Sequence, residues 1–166
     1  MNIEIKKMET EEEIKGKAYV HWRCWHETYP GLVSREYLDK LTLQKCEEIA
    51  FQWPDNIMIA KDDGRVIGFV GYGASQEETD EAGEIFALYT LSEYHGKGIG
   101  CRLMEAALEQ LKGYSLFHLW AVKGNERAIR FYEKFGFYLD GREKFSQTVG
   151  ATGIRMTMER KRFIQT

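Results

Sequence analysis

Three glycines at alternate positions, in His95-Gly96-Lys97-Gly98-Ile99-Gly100, separate an apolar run from a helical stripe in this chain. The run before them, residues 84–91, alternates as a strand does, with Ile85, Ala87 and Tyr89 on one face and Glu84, Phe86, Leu88 and Thr90 on the other. The stripe after them, Ile99, Leu103, Ala107 and Leu111, repeats every four residues, and Gly113 closes it. A strand, a glycine loop and a helix in that order constrain the chain to an α/β arrangement. Glycine lets backbone approach a ligand closely and leaves N–H groups unscreened. At a helix start the dipole favours negative charge as well, so the loop suits a pyrophosphate. Lys97 and Arg102 are the cations expected beside it.

Charge matters here because an anion site is also what a nucleic-acid binder needs. The chain has 166 residues, 23 of them Lys or Arg and 26 Asp or Glu, for a formal charge of -3. That balance carries no bulk case for nucleic acid. No window approaches the 18 or so uninterrupted apolar residues of a membrane helix, and no apolar h-region opens the chain, so the expected location is cytoplasmic. Cys24, Cys46 and Cys101 are odd in number and widely spaced, which argues against a disulfide framework. His21, Cys24 and His26 lie close together, but no second ligand pair follows, so no metal is expected.

The rest of the chain reads as alternating elements. Ile3 and Ile5 mark a first strand, and the acidic residues 9–13 open a helix whose apolar face is Ala18, Trp22, Trp25 and Tyr29. Pro30-Gly31 stops it. Ser34 caps a short helix with Tyr37, Leu38 and Leu41, and a third helix covers 44–51. Asp62-Asp63-Gly64 between 56–61 and 65–73 is a hairpin signal. Residues 76–81 form an acidic turn. The apolar run 114–122 reads as a strand buried on both faces and parallel to a neighbour. Asn125 caps a helix with Ile129, Tyr132 and Phe135, ended by Gly136. Strands at 137–145 and 154–160 complete one domain over 1–166. The expected fold is a mixed, mostly antiparallel sheet of about seven strands with a parallel βαβ unit in the middle and about four to five helices.

The loop lacks the Gly-Lys-Ser/Thr of a P-loop and the Gly-x-Gly-x-x-Gly spacing of a dinucleotide site. What remains resembles (Gln/Arg)-x-x-Gly-x-(Gly/Ala). With Leu88-Tyr89-Thr90-Leu91 before it, and with Trp120-Ala121-Val122 and Asn125-Glu126-Arg127-Ala128-Ile129-Arg130-Phe131-Tyr132-Glu133-Lys134-Phe135-Gly136-Phe137 after it, the chain resembles the GNAT superfamily of N-acetyltransferases. The two blocks lie in the family's order, and the pattern outside them fits most of the chain. One departure is His95, where the family carries Gln or Arg.

The resemblance implies a splayed central strand pair and an acetyl-coenzyme A cosubstrate. It places the pantetheine arm against the backbone of Leu88, Tyr89 and Thr90, one N–H of which would polarise the thioester carbonyl. It places the pyrophosphate on the backbone of His95, Gly96, Lys97, Gly98, Ile99 and Gly100, with Asn125 and Phe131 also against the cofactor. It makes Tyr132 the general acid that protonates the leaving thiolate. Tyr132 also falls on the apolar stripe with Ile129 and Phe135, as a core residue would. Glu84 stands where many relatives carry a carboxylate acting through water as base, and equally reads as a solvent-facing strand-end glutamate. Glu27 is the second candidate. The early helices would shape the acceptor site, with Trp25 and Tyr29 as substrate-binding residues, although aromatics there are mostly core stripe. The acceptor implied is a small primary amine, a polyamine or a peptide amino group, and the family allows a homodimer through late strands. The alternative is a non-catalytic acyl-coenzyme A-binding regulatory module, which a cleft sealed by Trp22 or Trp25 would favour.

Overall fold

Asp63 and Gly64 both have positive φ, +47° and +83°, and reverse the chain between β2 (Ile57–Asp62) and β3 (Arg65–Ala74). Two left-handed residues are what a two-residue hairpin turn of primed type needs to match strand twist, and Asp-Gly adopts them at low strain. The structure is a computed structural model, and it describes residues 1–77 and 81–160. Part of the acidic turn expected at 76–81 therefore lies outside the described residues.

Seven strands form one sheet in the order β1-β2-β3-β4-β5-β7-β6, with β1 at Ile3–Lys7, β4 at Gly83–Thr90, β5 at Leu116–Val122, β6 at Tyr138–Ser146 and β7 at Ala151–Glu159. All neighbours pair antiparallel except β4 and β5, which run parallel across α4 (Ile99–Gln110). The remaining helices are α1 (Glu11–Thr28), α2 (Arg35–Lys40), α3 (Leu43–Gln52) and α5 (Glu126–Phe135). The expected mixed sheet of about seven strands with four to five helices is observed, as seven strands and five α-helices among the described residues. No helix among the described residues is long and apolar enough to cross a membrane.

Local chemistry sets the helix starts. Thr10 caps α1 through a reciprocal box: its hydroxyl accepts from the Glu13 N–H at 3.1 Å, and the Glu13 carboxylate accepts from the Thr10 N–H at 3.1 Å. Ser34 and Thr42 cap α2 and α3, each accepting a backbone N–H at 3.1 Å.

Two details differ from the sequence reading. Helix α1 buries two faces. Ala18, with Trp22 and Trp25 beside it, packs toward α3, as its apolar stripe predicts. The face toward the sheet is carried by Val20 and Cys24 together with Lys17 and His21, two polar residues that interrupt any apolar stripe there. Lys17 is buried with its ammonium 4.8 Å from the Phe69 ring centre, so an aromatic face partly replaces its lost hydration. The second difference is in β4. Gly71 pairs with Ala87 and Tyr72 with Ile85, so Phe86 has no opposite residue. This bulge breaks the strict alternation expected across 84–91.

Candidate active site

β4 and β5 pair only from Gly83↔Phe117 to Ile85↔Leu119. Beyond that point the strands separate while β4 continues to Thr90 and β5 to Val122. The gap opens into a cleft of about 420 Å³. Its walls include Phe86 to Thr90 on β4, Trp120 to Val122 on β5, the glycine loop, and Asn125, Arg127, Phe131 and Tyr132 at α5. Parting a parallel pair leaves peptide groups on one strand edge without a ladder partner, ready for an extended polar chain.

The glycine loop forms one end. Gly96 and Gly98 have φ of +76° and +78°, and Gly98 is the N-cap of α4 with no side-chain cap. The first N–H groups of α4 are therefore open at the cleft, the arrangement that binds phosphate. Gly100 keeps the helix start narrow, since a Cβ there would lie 3.3 Å from the Phe131 ring. Phe131 itself lines the cleft. Together these features fit the pyrophosphate and pantetheine arm that the sequence anticipated.

The expected cations are placed differently. Lys97 and Arg102 are not among the lining residues, and the Lys97 ammonium sits 5.7 Å from the Tyr94 ring centre. Arg127 is the Arg or Lys that lines the cleft among the described residues. It meets His95 directly: an Arg127 N–H donates to His95 Nδ1. The other ring nitrogen, Nε2, donates to the Thr90 carbonyl at 2.8 Å. A carbonyl only accepts, so this pairing assigns the proton to Nε2 and leaves Nδ1 as the acceptor. Burial, and then the nearby Arg127 charge, lower the His95 pKa despite the Thr90 bond. His95 is therefore neutral near pH 7.

Three tyrosines also line the cleft. The Tyr29 and Tyr89 hydroxyls are 2.9 Å apart, and both residues line the cleft with Tyr132. Burial raises the Tyr132 pKa well above its usual value, and the neighbouring Tyr29 adds to this. Burial also raises Tyr89 and Tyr29, with hydrogen bonds to Tyr89 and Asn125 opposing the shift at Tyr29. All three keep their protons at neutral pH, and a proton on Tyr132 is what a general acid requires. Asn125 caps α5, its carbonyl oxygen accepting the Ala128 N–H at 3.4 Å, and also lines the cleft.

Trp25 lies behind this wall rather than in it. Its ring meets Tyr29 edge-on with centres 4.5 Å apart and packs against Tyr37 at 5.6 Å. Neither Trp22 nor Trp25 is among the lining residues, so neither seals the cleft. Glu84 is also outside the lining. It is buried at the paired end of β4, where the Ser75 hydroxyl donates to it at 3.4 Å. Burial raises its pKa, and the Ser75 bond opposes that. Glu27 lines the cleft, but its carboxylate is taken by Arg23 at 2.6 Å.

The side chain of Tyr89 and the Arg127–His95 pair were not anticipated. Tyr29 and Tyr89 are 60 positions apart, and no local pattern links them. Arg127 stood inside the quoted motif, and its place in the first turn of α5 beside a capping Asn was the available signal. His21, Cys24 and His26, the trio considered for a metal, have separate surroundings. His21 lies against Phe69 and Trp25, the Cys24 thiol donates to the Thr90 carbonyl at 3.5 Å, and His26 Nε2 donates to the Leu41 carbonyl at 2.7 Å.

Comparison with known proteins gives a consistent picture. A family model described as "Acetyltransferase (GNAT) family" matches residues 18–137. An uncharacterized N-acetyltransferase of Archaeoglobus fulgidus is 36% identical over 120 residues, covering 66% of this chain and 79% of the relative. Among solved structures, a protein of Pyrococcus horikoshii OT3 aligns with a TM-score of 0.75 at 24% identity, over 96% of this chain and 99% of that one. The PaiA N-acetyltransferase of Thermoplasma acidophilum, in complex with coenzyme A, aligns with a TM-score of 0.72 at 25% identity, over 96% and 99%.

Proposed function

The chain belongs to the acetyltransferase (GNAT) family, whose cosubstrate is acetyl-coenzyme A, and from that premise we propose that it acetylates a primary amine by direct attack, with Tyr132 as general acid. The observation that carries this reading is the protonated Tyr132 in the cleft between the splayed strands. Acetyl-coenzyme A supplies the acetyl group as a thioester. The chain's own residues do the rest. The free edge of β4 at Leu88, Tyr89 and Thr90 holds the pantetheine amides, and a β4 N–H faces the thioester oxygen, where developing charge is stabilised. The glycine loop from His95 to Gly100 takes the pyrophosphate, and Phe131 packs against the cofactor. The Tyr132 hydroxyl gives its proton to the departing sulfur, while the amine nitrogen bonds to the acetyl carbon and the carbon–sulfur bond breaks.

The attacking amine must first lose a proton. Glu84 is the base in this reading, acting through water, and its raised pKa suits that task. Tyr29, backed by Trp25, forms the wall that faces the acceptor. The acceptor is a small amine, a polyamine or a peptide amino group.

Direct attack is favoured over an acyl-enzyme by the state of the cleft's inner thiol. Burial pushes Cys24 up to about 12, so it is almost wholly protonated at neutral pH and a poor nucleophile. The test is release of free coenzyme A thiol across a panel of polyamines, simple primary amines and short peptides. Turnover of at least one class is expected. Tight coenzyme A binding with no turnover of any amine would favour the regulatory, non-catalytic reading instead.

A further inference from the structure

We propose that Arg127, held by His95, reaches from α5 to bind the pyrophosphate of coenzyme A. The proposal rests on the reading of the cleft as the acetyl-coenzyme A site.

Three observations carry it. The first is position. Arg127 lines the same cleft as Gly96, Gly98 and Gly100, whereas Lys97 and Arg102 do not. The anion site built by the open N–H groups of α4 therefore takes its side-chain cation from α5. The second is orientation. The Thr90 carbonyl fixes the proton of His95 on Nε2, and Nδ1 is then a lone-pair acceptor aimed at Arg127. The imidazole is a rigid strut between the end of β4 and the first turn of α5. A cationic histidine could not play this part, because both ring nitrogens would be donors facing an arginine. The third is spare capacity. A guanidinium has five N–H donors, and the structure gives Arg127 no carboxylate partner among the described residues. The remaining donors form a planar fork, the geometry that grips phosphate oxygens in pairs. Where the loop signature has Gln or Arg, this chain has a histidine whose two ring nitrogens are engaged by Thr90 and Arg127, so its part is to position the arginine.

Calorimetric titration of the full chain separates the possibilities. Coenzyme A, 3′-dephospho-coenzyme A and pantetheine would be titrated into the parent, Arg127→Gln, His95→Ala and the double variant. Arg127 is exposed, so its variant should fold, and an unchanged melting temperature confirms that. The expected result is a loss of about tenfold or more for both nucleotides with Arg127→Gln, and no change for pantetheine. His95→Ala should lose less, and the double variant no more than Arg127→Gln alone, because His95 acts through Arg127. Unchanged coenzyme A binding by Arg127→Gln would overturn the proposal. So would a loss confined to coenzyme A, which would assign the arginine to the 3′-phosphate. Additive losses in the double variant would overturn the positioning role of His95. Failure of the parent to bind coenzyme A at all would instead defeat the reading of the cleft on which the proposal rests.

Discussion

The hydroxyls of Tyr29 and Tyr89 lie 2.9 Å apart, joining the residue that ends α1 to the strand that opens the cleft. Tyr29 is buried, with Trp25 edge-on to it, and the Phe69 ring backs Tyr89 at 5.7 Å. The pair satisfies two polar groups in an apolar wall and ties the end of α1 to β4. Tyr132 lines the same cleft, and burial, with Tyr29 nearby, keeps its phenol protonated.

Removing one hydroxyl of that pair strands the other. Tyr29→Phe should destabilise the fold by about 1–2 kcal/mol, since the Tyr89 hydroxyl loses its partner where water cannot readily replace it. The double variant Tyr29→Phe with Tyr89→Phe should cost clearly less than the sum of the singles. Urea denaturation of the four proteins measures this.

Stability should fall in acid through Glu13. Burial alone would raise its pKa, but hydrogen bonds from Lys6 at 2.7 Å, from the N–H groups of Glu9 and Thr10, and from Lys61 outweigh that and hold it at about 2. Its ordinary value is 4.5, so the folded state favours the carboxylate. The contribution, about 3 kcal/mol by linkage, is complete above the unfolded value and is lost as pH falls from about 4.5 toward 2. Glu13→Gln should be less stable than the parent at pH 7, and the gap should narrow sharply at pH 3. Denaturation curves at the two pH values check it.

The cleft thiols should be dispensable for chemistry. Cys24 is buried and protonated, and Cys101 is exposed at the start of α4. Cys101→Ala should keep kcat within about threefold of the parent, and no acetylated cysteine should accumulate when acetyl-coenzyme A is mixed with enzyme alone. Intact-mass spectrometry reads the second point.

A base at Glu84 sets the acid limb of the rate profile. The carboxyl must be ionised to act, and burial raises its pKa above the ordinary 4.5. The kcat/KM should therefore rise with pH through that raised value. Glu84→Gln should lower kcat by about 10²-fold and remove that limb, while the binding of coenzyme A stays unchanged. A retained limb would assign the proton to another group.

Much of this architecture is written in short-range signals. Asp63-Gly64 announces its hairpin, Ser34 and Asn125 announce their helices, and the glycines at 96, 98 and 100 mark the phosphate end of the cleft. These features depend on a few adjacent residues, whose steric and hydrogen-bond preferences survive any tertiary context. What is illegible depends on partners far apart. The sheet-facing side of α1 escaped because Lys17 is buried and His21 half-buried against Phe69, a residue more than forty positions away. The bulge at Phe86 is invisible because it is a property of the pairing with β3, not of β4 alone. Lys97 was expected beside the pyrophosphate from its place in the loop, whereas its ammonium sits over the Tyr94 ring and Arg127 of α5 lines the cleft. Tyr132 was legible only through a motif. Its raised pKa comes from burial and from Tyr29, about a hundred positions away, which no spacing along the chain encodes.

The central claim is that a protonated Tyr132 lets coenzyme A leave. Its most direct measurement is kcat of Tyr132→Phe against the parent, with an amine that the parent turns over, alongside calorimetric binding of coenzyme A to both. The phenyl ring keeps the packing with Phe131 and Phe137 and removes only the proton source. The account predicts a fall in kcat of about 10²- to 10⁴-fold with coenzyme A affinity unchanged. A Tyr132→Phe enzyme that turns over as fast as the parent would contradict it.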